Sequence, residues 1–162
     1  RCRDFINADE IARGLSPLNV DAAQLRASKI FLSAIDERIS RKENFAFETT
    51  LSGRAYLQKI KHWKAAGWRV ELFYLWLPNA EASAQRVAYR VKQGGHDIPP
   101  EAIRRRYPRS IVNLFEYAKV CDQVHCYDNS RTMPELIFSQ GKEIVTVADE
   151  ERFDRLKEDA KV

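Results

Sequence analysis

Apolar residues recur with two different spacings along this 162-residue chain. From Val20 to Lys42, Ala23, Ala27, Ile30, Phe31, Ala34 and Ile35 fall three or four apart with charges opposite, which predicts a long amphipathic helix. Asp4–Asn7 and Asn44–Phe47 read as short strands. The first ends in the acidic turn Asn7-Ala8-Asp9-Glu10, the second in Glu48-Thr49-Thr50-Leu51. Ser52 is the predicted N-cap of a helix that turns Tyr56, Ile60 and Trp63 inward and stops at Gly67. Arg69–Leu77 is the most apolar segment and predicts a strand buried on both faces. Pro78-Asn79 opens a helix to about Gln93, and Gly94 to Pro100 forms a loop. A second helix, from about Glu101 to Lys119, carries Ile103, Tyr107, Ile111, Phe115 and Ala118 as its apolar stripe, with a kink expected at Pro108. Gln123–Tyr127 reads as a strand, Leu136–Ser139 and Ile144–Thr146 as a hairpin around Gly141, and Asp149–Lys157 as a closing helix. Strands alternating with helices predict an α/β fold with a mainly parallel sheet. No repeat, low-complexity tract or linker breaks the chain, so residues 1–162 read as one domain.

Composition narrows the class. With 44% apolar residues, 8 Phe, 6 Tyr and 3 Trp, the chain has material for a packed core and does not read as disordered. The longest uninterrupted apolar run, Leu72–Leu77, falls far short of the roughly 20 residues that span a bilayer. The charged N-terminus lacks signal-peptide character, so a soluble intracellular protein is expected. Three cysteines, without a CxxC pair, fit neither a disulfide framework nor a zinc ribbon. Cys121 and Cys126 are expected as small core residues. A net charge of +4 is mild, so the placement of positive charge matters more than its sum.

Ligands of open parallel sheets bind beyond the carboxyl ends of the strands. Here those ends are polar: Asn7, Asp9 and Glu10, then Glu48, Thr49 and Thr50, then Asp128, Asn129 and Ser130. A carboxylate at such a position can take a hydroxyl proton, and Glu and Thr can hydrogen-bond a polyol. The plainer alternative is that Asp9 and Ser52 only cap helices. A second constellation is basic. Arg86 and Arg90 lie one turn apart on one predicted helix, and Arg104, Arg105, Arg106 and Arg109 lie on the next. With the apolar stripe inward, Arg105, Arg106, Arg109 and Asn113 share an outer face. Arginine forks suit phosphate, and Gly94-Gly95 between the arms allows a hinge, as a lid requires. His96 reads as a loop hydrogen-bonding residue.

These segments together resemble the zeta-toxin-type P-loop kinases. The resemblance rests on Phe5-Ile6-Asn7-Ala8-Asp9-Glu10-Ile11-Ala12, Phe47-Glu48-Thr49-Thr50-Leu51-Ser52, Arg86-Val87 through Arg90-Val91 to Gly94-Gly95-His96, Arg105-Arg106-Tyr107 through Arg109-Ser110 to Asn113-Leu114, and Tyr127-Asp128-Asn129-Ser130, in that order from Phe5 to about Val147. It implies a three-layer P-loop NTPase-like fold and an ATP- and Mg²⁺-dependent kinase acting on the 3′-hydroxyl of the amino sugar in UDP-N-acetylglucosamine. A small antitoxin partner and a bacterial cytoplasm are also implied. Carried over, Asp9 is the base or orienting group, with Asn7, Glu48 and Thr50 at the sugar-nucleotide substrate. Arg90, Arg106 and Arg109 neutralise the transferring phosphoryl group. Arg86, Arg105, Asn129 and Ser130 lie on the nucleotide side, and residues 79–119 form the lid. The family's G-x-x-x-x-G-K-[ST] loop is absent from these residues, because none of the six glycines fits it. The expectation is therefore a longer gene product whose first strand and phosphate loop precede this chain. A shortened pseudo-kinase acting by binding is the alternative, and a nucleic-acid-binding basic helix a third reading.

Overall fold

A computed structural model describes residues 4–95, 97–141 and 144–161; His96 lies outside them. The chain forms two compact units, Arg1–Thr49 and Thr50–Val162. In the first, β1 (Phe5–Ile6) leads directly into α1 (Ala8–Leu15), where only an acidic turn was predicted. Asn7 caps α1, and Asp9 and Glu10 complement the positive end of its dipole. The long helix appears as α2 (Val20–Arg41) and ends at Lys42 with φ +56°. Ala12 meets Ala23 and Ala27 where α1 and α2 pack, with methyl-sized side chains that let the two backbones approach closely. β2 (Ala46–Phe47) pairs in parallel with β1, and Phe47 meets Phe31 of α2 edge-on at 6.0 Å.

The second unit runs α3 (Ala55–Ala65), β3 (Glu71–Trp76), α4 (Ala80–Lys92), α5 (Pro100–Ala118), β4 (Gln123–Asp128), β5 (Glu135–Gln140), β6 (Val145–Val147) and α6 (Glu150–Asp159). Its sheet has the order β3-β4-β5-β6. β3 and β4 are parallel, while β5 and β6 add the antiparallel hairpin predicted around Gly141. Gly67, at φ +90°, ends the α3 turn as expected. The core joins Ile60, Trp76, Ile111, Leu114, Tyr117, Val124, Ile137, Phe138 and Leu156. Cys121 and Cys126 lie inside it, and burial pushes the Cys121 thiol up to about 11.

Three expectations need correction. β3 is not buried on both faces: Phe73 is 59% and Leu75 55% exposed, because this unit covers only the face carrying Tyr74 and Trp76. Ser52 does not cap α3. Its hydroxyl lies 2.9 Å from that of Thr50, and Arg54 occupies the cap position without a side-chain bond. Asn113 does not share the outer arginine face but is buried. Helix α5 runs continuously through Pro108. No helix among the described residues is long and apolar enough to cross a membrane.

Candidate functional site

In the first unit one side chain ties two strand ends together. The parallel ladder closes with the Glu48 N–H donating to Ile6 O at 3.2 Å, which sets Glu48 beside Asn7. Asn7 Nδ2 then donates to Glu48 Oε2 at 2.8 Å, while its Oδ1 accepts the Asp9 N–H at 2.8 Å and the Glu10 N–H at 3.3 Å. The amide thus fixes its own rotamer, the start of α1 and the Glu48 carboxylate together. Asp9 sits half-buried in the first turn and Glu48 is exposed. Capping falls to Asn7, so the Asp9 carboxylate faces the positive end of α1 without making the cap hydrogen bond itself.

Thr50 opens the second unit, in a loop that α5 holds. Leu51 adopts φ +55°, a left-handed conformation costly for a branched side chain. Asn113 Nδ2 donates to Leu51 O at 2.8 Å, and Arg54 Nε donates to Asn113 Oδ1 at 3.0 Å. One turn further along α5, Tyr117 Oη donates to Gly53 O at 3.0 Å and accepts the Tyr56 N–H at 3.3 Å. That last bond satisfies a first-turn N–H of α3 which the segment's own residues leave uncapped.

The predicted lid consists of two helices of unequal attachment. No residue of α4 is buried, whereas α5 buries seven, among them Ser110, Asn113 and Tyr117. Polar pins set the register of α5: Tyr107 Oη donates to Leu77 O at 2.8 Å, and the Ser110 and Tyr74 hydroxyls lie 2.8 Å apart. Burial pushes the Tyr107 phenol up to about 12 and Tyr74 higher still. Gly94, at φ +85°, and Gly95 close the end of α4, where a Cβ on Gly95 would lie 2.8 Å from Arg90 O. Arg104 pairs with Glu81 of α4 at 3.2 Å. Arg90, Arg105, Arg106 and Arg109 have no carboxylate partner among the described residues, leaving four guanidinium groups available to an anion.

The fourth strand ends in a braced turn. Asp128, 4% exposed, accepts the Ser130 N–H at Oδ1 (2.8 Å) and Arg152 Nε at Oδ2 (2.9 Å). Arg152 also holds Asp149 at 2.8 Å and Glu135 at 3.2 Å. The Asn129 N–H donates to Trp76 O at 2.8 Å, and Arg86 Nη1 donates to Asn129 O at 2.7 Å. With its amide oxygen turned toward α4, Asn129 accepts two further bonds from Arg86, at 3.0 and 3.2 Å. Arg86 and Asn129, both of which the resemblance assigns to the nucleotide side, therefore touch, while exposed Ser130 stands at the turn's end.

Asn7, Asp9 and Glu48 are brought together within the first unit, and Arg86 with Asn129 within the second. Thr50 lies in the loop anchored by α5. Sequence reading missed the inward roles of Asn113 and Tyr117 and the Asp128–Arg152 pair. The four-residue spacing of Arg105, Arg109, Asn113 and Tyr117 was the available signal, since each step turns about 40° around α5 and carries the row from the exposed arginines to the buried Asn113 and Tyr117.

A model of the zeta toxin family matches residues 1–157. The chain is also 32% identical over 102 residues to an uncharacterized protein of Haemophilus influenzae, a span covering 63% of this chain and 73% of that relative. No solved structure matches it. Polar parallel-strand ends, arginines on the paired helices α4 and α5 and a family match over almost the whole chain agree, and the chain belongs to the zeta toxin family of kinase-like, nucleotide-binding P-loop proteins.

Proposed function

We propose that this chain forms most of an ATP-dependent phosphotransferase acting on a hydroxyl of a small nucleotide-linked sugar such as UDP-N-acetylglucosamine. The observation that carries this reading is the 2.8 Å hydrogen bond between Asn7 and Glu48, which ties two parallel strand ends together with Asp9 two residues on in the first turn of α1. On this reading Asp9 orients the acceptor hydroxyl and takes its proton as the oxygen attacks the γ-phosphorus. The bond to the β,γ-bridging oxygen breaks and ADP leaves with that electron pair. Asn7, Glu48 and Thr50 hold the sugar nucleotide. Arg90, Arg106 and Arg109 neutralise the transferring group, while Arg86, Arg105, Asn129 and Ser130 serve the nucleotide. Arg90, Arg105, Arg106 and Arg109, without carboxylate partners among the described residues, are donors of the kind a triphosphate needs, so ATP fits the chemistry on this chain. Mg²⁺ would enter with the triphosphate and would supply further charge neutralisation beside these arginines.

The reaction requires a phosphate loop, a motif these 162 residues do not contain. The reading assigns it to a strand–loop–helix unit ahead of Phe5 that completes one kinase domain, with residues 79–119 as lid. Two observations support this. β3 pairs only with β4 among the described residues, and its Phe73 and Leu75 face outward. A small antitoxin is the proposed protein partner and the bacterial cytoplasm the proposed location. The test is the full-length gene product with radiolabelled ATP and UDP-N-acetylglucosamine. A phosphorylated sugar nucleotide is expected, with Asp9→Asn lowering kcat by roughly 10²- to 10⁴-fold. Failure of the full-length protein to bind ATP refutes the proposal and favours a partner-binding pseudo-kinase.

A further inference from the structure

We infer that Asn113 and Tyr117 are positioning residues that set the Thr50–Arg54 loop against the arginines of the lid, an inference that rests on the phosphotransferase reading above. The loop carries a strained residue and is held from outside as well as by its own Thr50 and Ser52 hydroxyls, 2.9 Å apart. Leu51 sits at φ +55°, which a leucine keeps only where surrounding groups over-determine it, and α3 begins without a side-chain cap. The holding groups come from about sixty residues away. Asn113 grips Leu51 O and Arg54 Nε, and Tyr117 grips Gly53 O and the Tyr56 N–H.

The origin of those groups decides their significance. Arg105, Arg109, Asn113 and Tyr117 follow one another at four-residue intervals on one helix, so each lies about 6 Å further along its axis and about 40° further round it, the two arginines exposed and Asn113 and Tyr117 buried. The half of α5 that presents unpaired arginines to phosphate is thus continuous with the half that fixes the acceptor-side loop. Tyr107 and Ser110, bonded to Leu77 O and the Tyr74 hydroxyl, stop the helix from sliding between the two halves. The distance from Arg109 to Thr50 is therefore set by a rigid rod rather than by a flexible crossing. A group that must receive phosphate in line gains directly from such placement.

The test uses the full-length protein and the variants Asn113→Ala and Tyr117→Phe, the latter keeping its ring in the core so that folding survives. Arg54 is exposed and provides a trypsin site inside the loop. Losing a hydrogen bond that closes the loop should raise its opening, and cleavage after Arg54, by about tenfold. Leu156→Val, destabilised elsewhere in the core, serves as the control and should show no selective rise at that site. With UDP-N-acetylglucosamine as acceptor, both loop variants should raise the acceptor KM about tenfold and change the ATP KM less than about twofold. Unchanged cleavage after Arg54, a rise no larger than in the control, or equal changes in both KM values overturns the inference. If the wild-type protein does not phosphorylate the sugar nucleotide, the functional reading fails by itself, and the cleavage ratio still decides whether α5 holds the loop.

Discussion

Replacing Arg152 by Met should harm this protein more than neutralising the carboxylate it binds. The Asp128 carboxylate is 4% exposed, and its Oδ2 lies 2.9 Å from Arg152 Nε. Removing one partner of a fully buried pair costs about 3–5 kcal/mol, because the remaining charge is stranded in a poorly polarisable site. Arg152 is itself 27% exposed, so water can partly replace it, which puts the estimate at the low end, about 3 kcal/mol. Asp128→Asn is milder. An oxygen remains to accept the Ser130 N–H, and Arg152 keeps Asp149 and Glu135, so about 1 kcal/mol is expected. The double variant Asp128→Asn/Arg152→Met should then be more stable than Arg152→Met alone, giving a coupling of about 2 kcal/mol. Urea unfolding followed by tryptophan emission is the assay, because Trp63, Trp68 and Trp76 all lie in the unit that contains the pair. With a slope of about 2.5 kcal/mol per molar urea, Arg152→Met should lower the midpoint by about 1.2 M. A smaller loss in Arg152→Met than in Asp128→Asn, or a double variant weaker than Arg152→Met, refutes the reasoning.

Two further expectations concern backbone and pH. Gly95→Ala would put a Cβ 2.8 Å from Arg90 O and 3.1 Å from its carbonyl carbon, so the end of α4 must open by about 1–3 kcal/mol. Because α4 buries nothing, amide exchange should accelerate there while global stability holds; Gly14→Ala, with open space around it in α1, should stabilise slightly, and equal effects of the two variants contradict this. In alkali, Tyr107 near 12 and Cys121 near 11 stay protonated in the folded chain above the pH at which unfolded tyrosine and cysteine ionise. The unfolded state then binds fewer protons, so stability is intact below about pH 8.5, falls as pH rises and is lost through the range 11–12; a flat urea midpoint from pH 8 to 11 argues against it.

How much of this was legible in the sequence follows from what each signal measures. The helix α2 was readable because its buried Ala23, Ala27, Phe31 and Ile35 recur at helical spacing, a purely local pattern. Helix α1 was not, since its apolar face is short and the Asn7-Ala8-Asp9-Glu10 start reads equally as an acidic turn. The N-cap Asn followed by acids was the missed cue. For β3, a continuous apolar run reports only that both faces suit apolar surroundings, and this unit covers one of them. The polar strand ends were legible as candidates, but which of them touch was not, because the Asn7–Glu48 contact spans 41 residues.

The same limit explains the misplacement of Asn113, and the error is informative. Hydrophobic periodicity divides a helix into an apolar stripe and everything else, so a buried polar residue is assigned outward by default. On α5 the inward set includes Ser110, Asn113 and Tyr117 beside Ile103, Ile111 and Leu114, and all three polar members reach another segment through a side-chain hydrogen bond. Those bonds bring modest net stability, about 1 kcal/mol each, but leaving a buried amide or hydroxyl unpartnered costs more, so they admit one register and penalise its neighbours. An all-apolar stripe would bury as much surface while tolerating a slide along the sheet. The polar members give up some of that packing for a fixed placement of Arg105 and Arg109 along α5, which the proposed phosphotransfer would demand of its cationic donors.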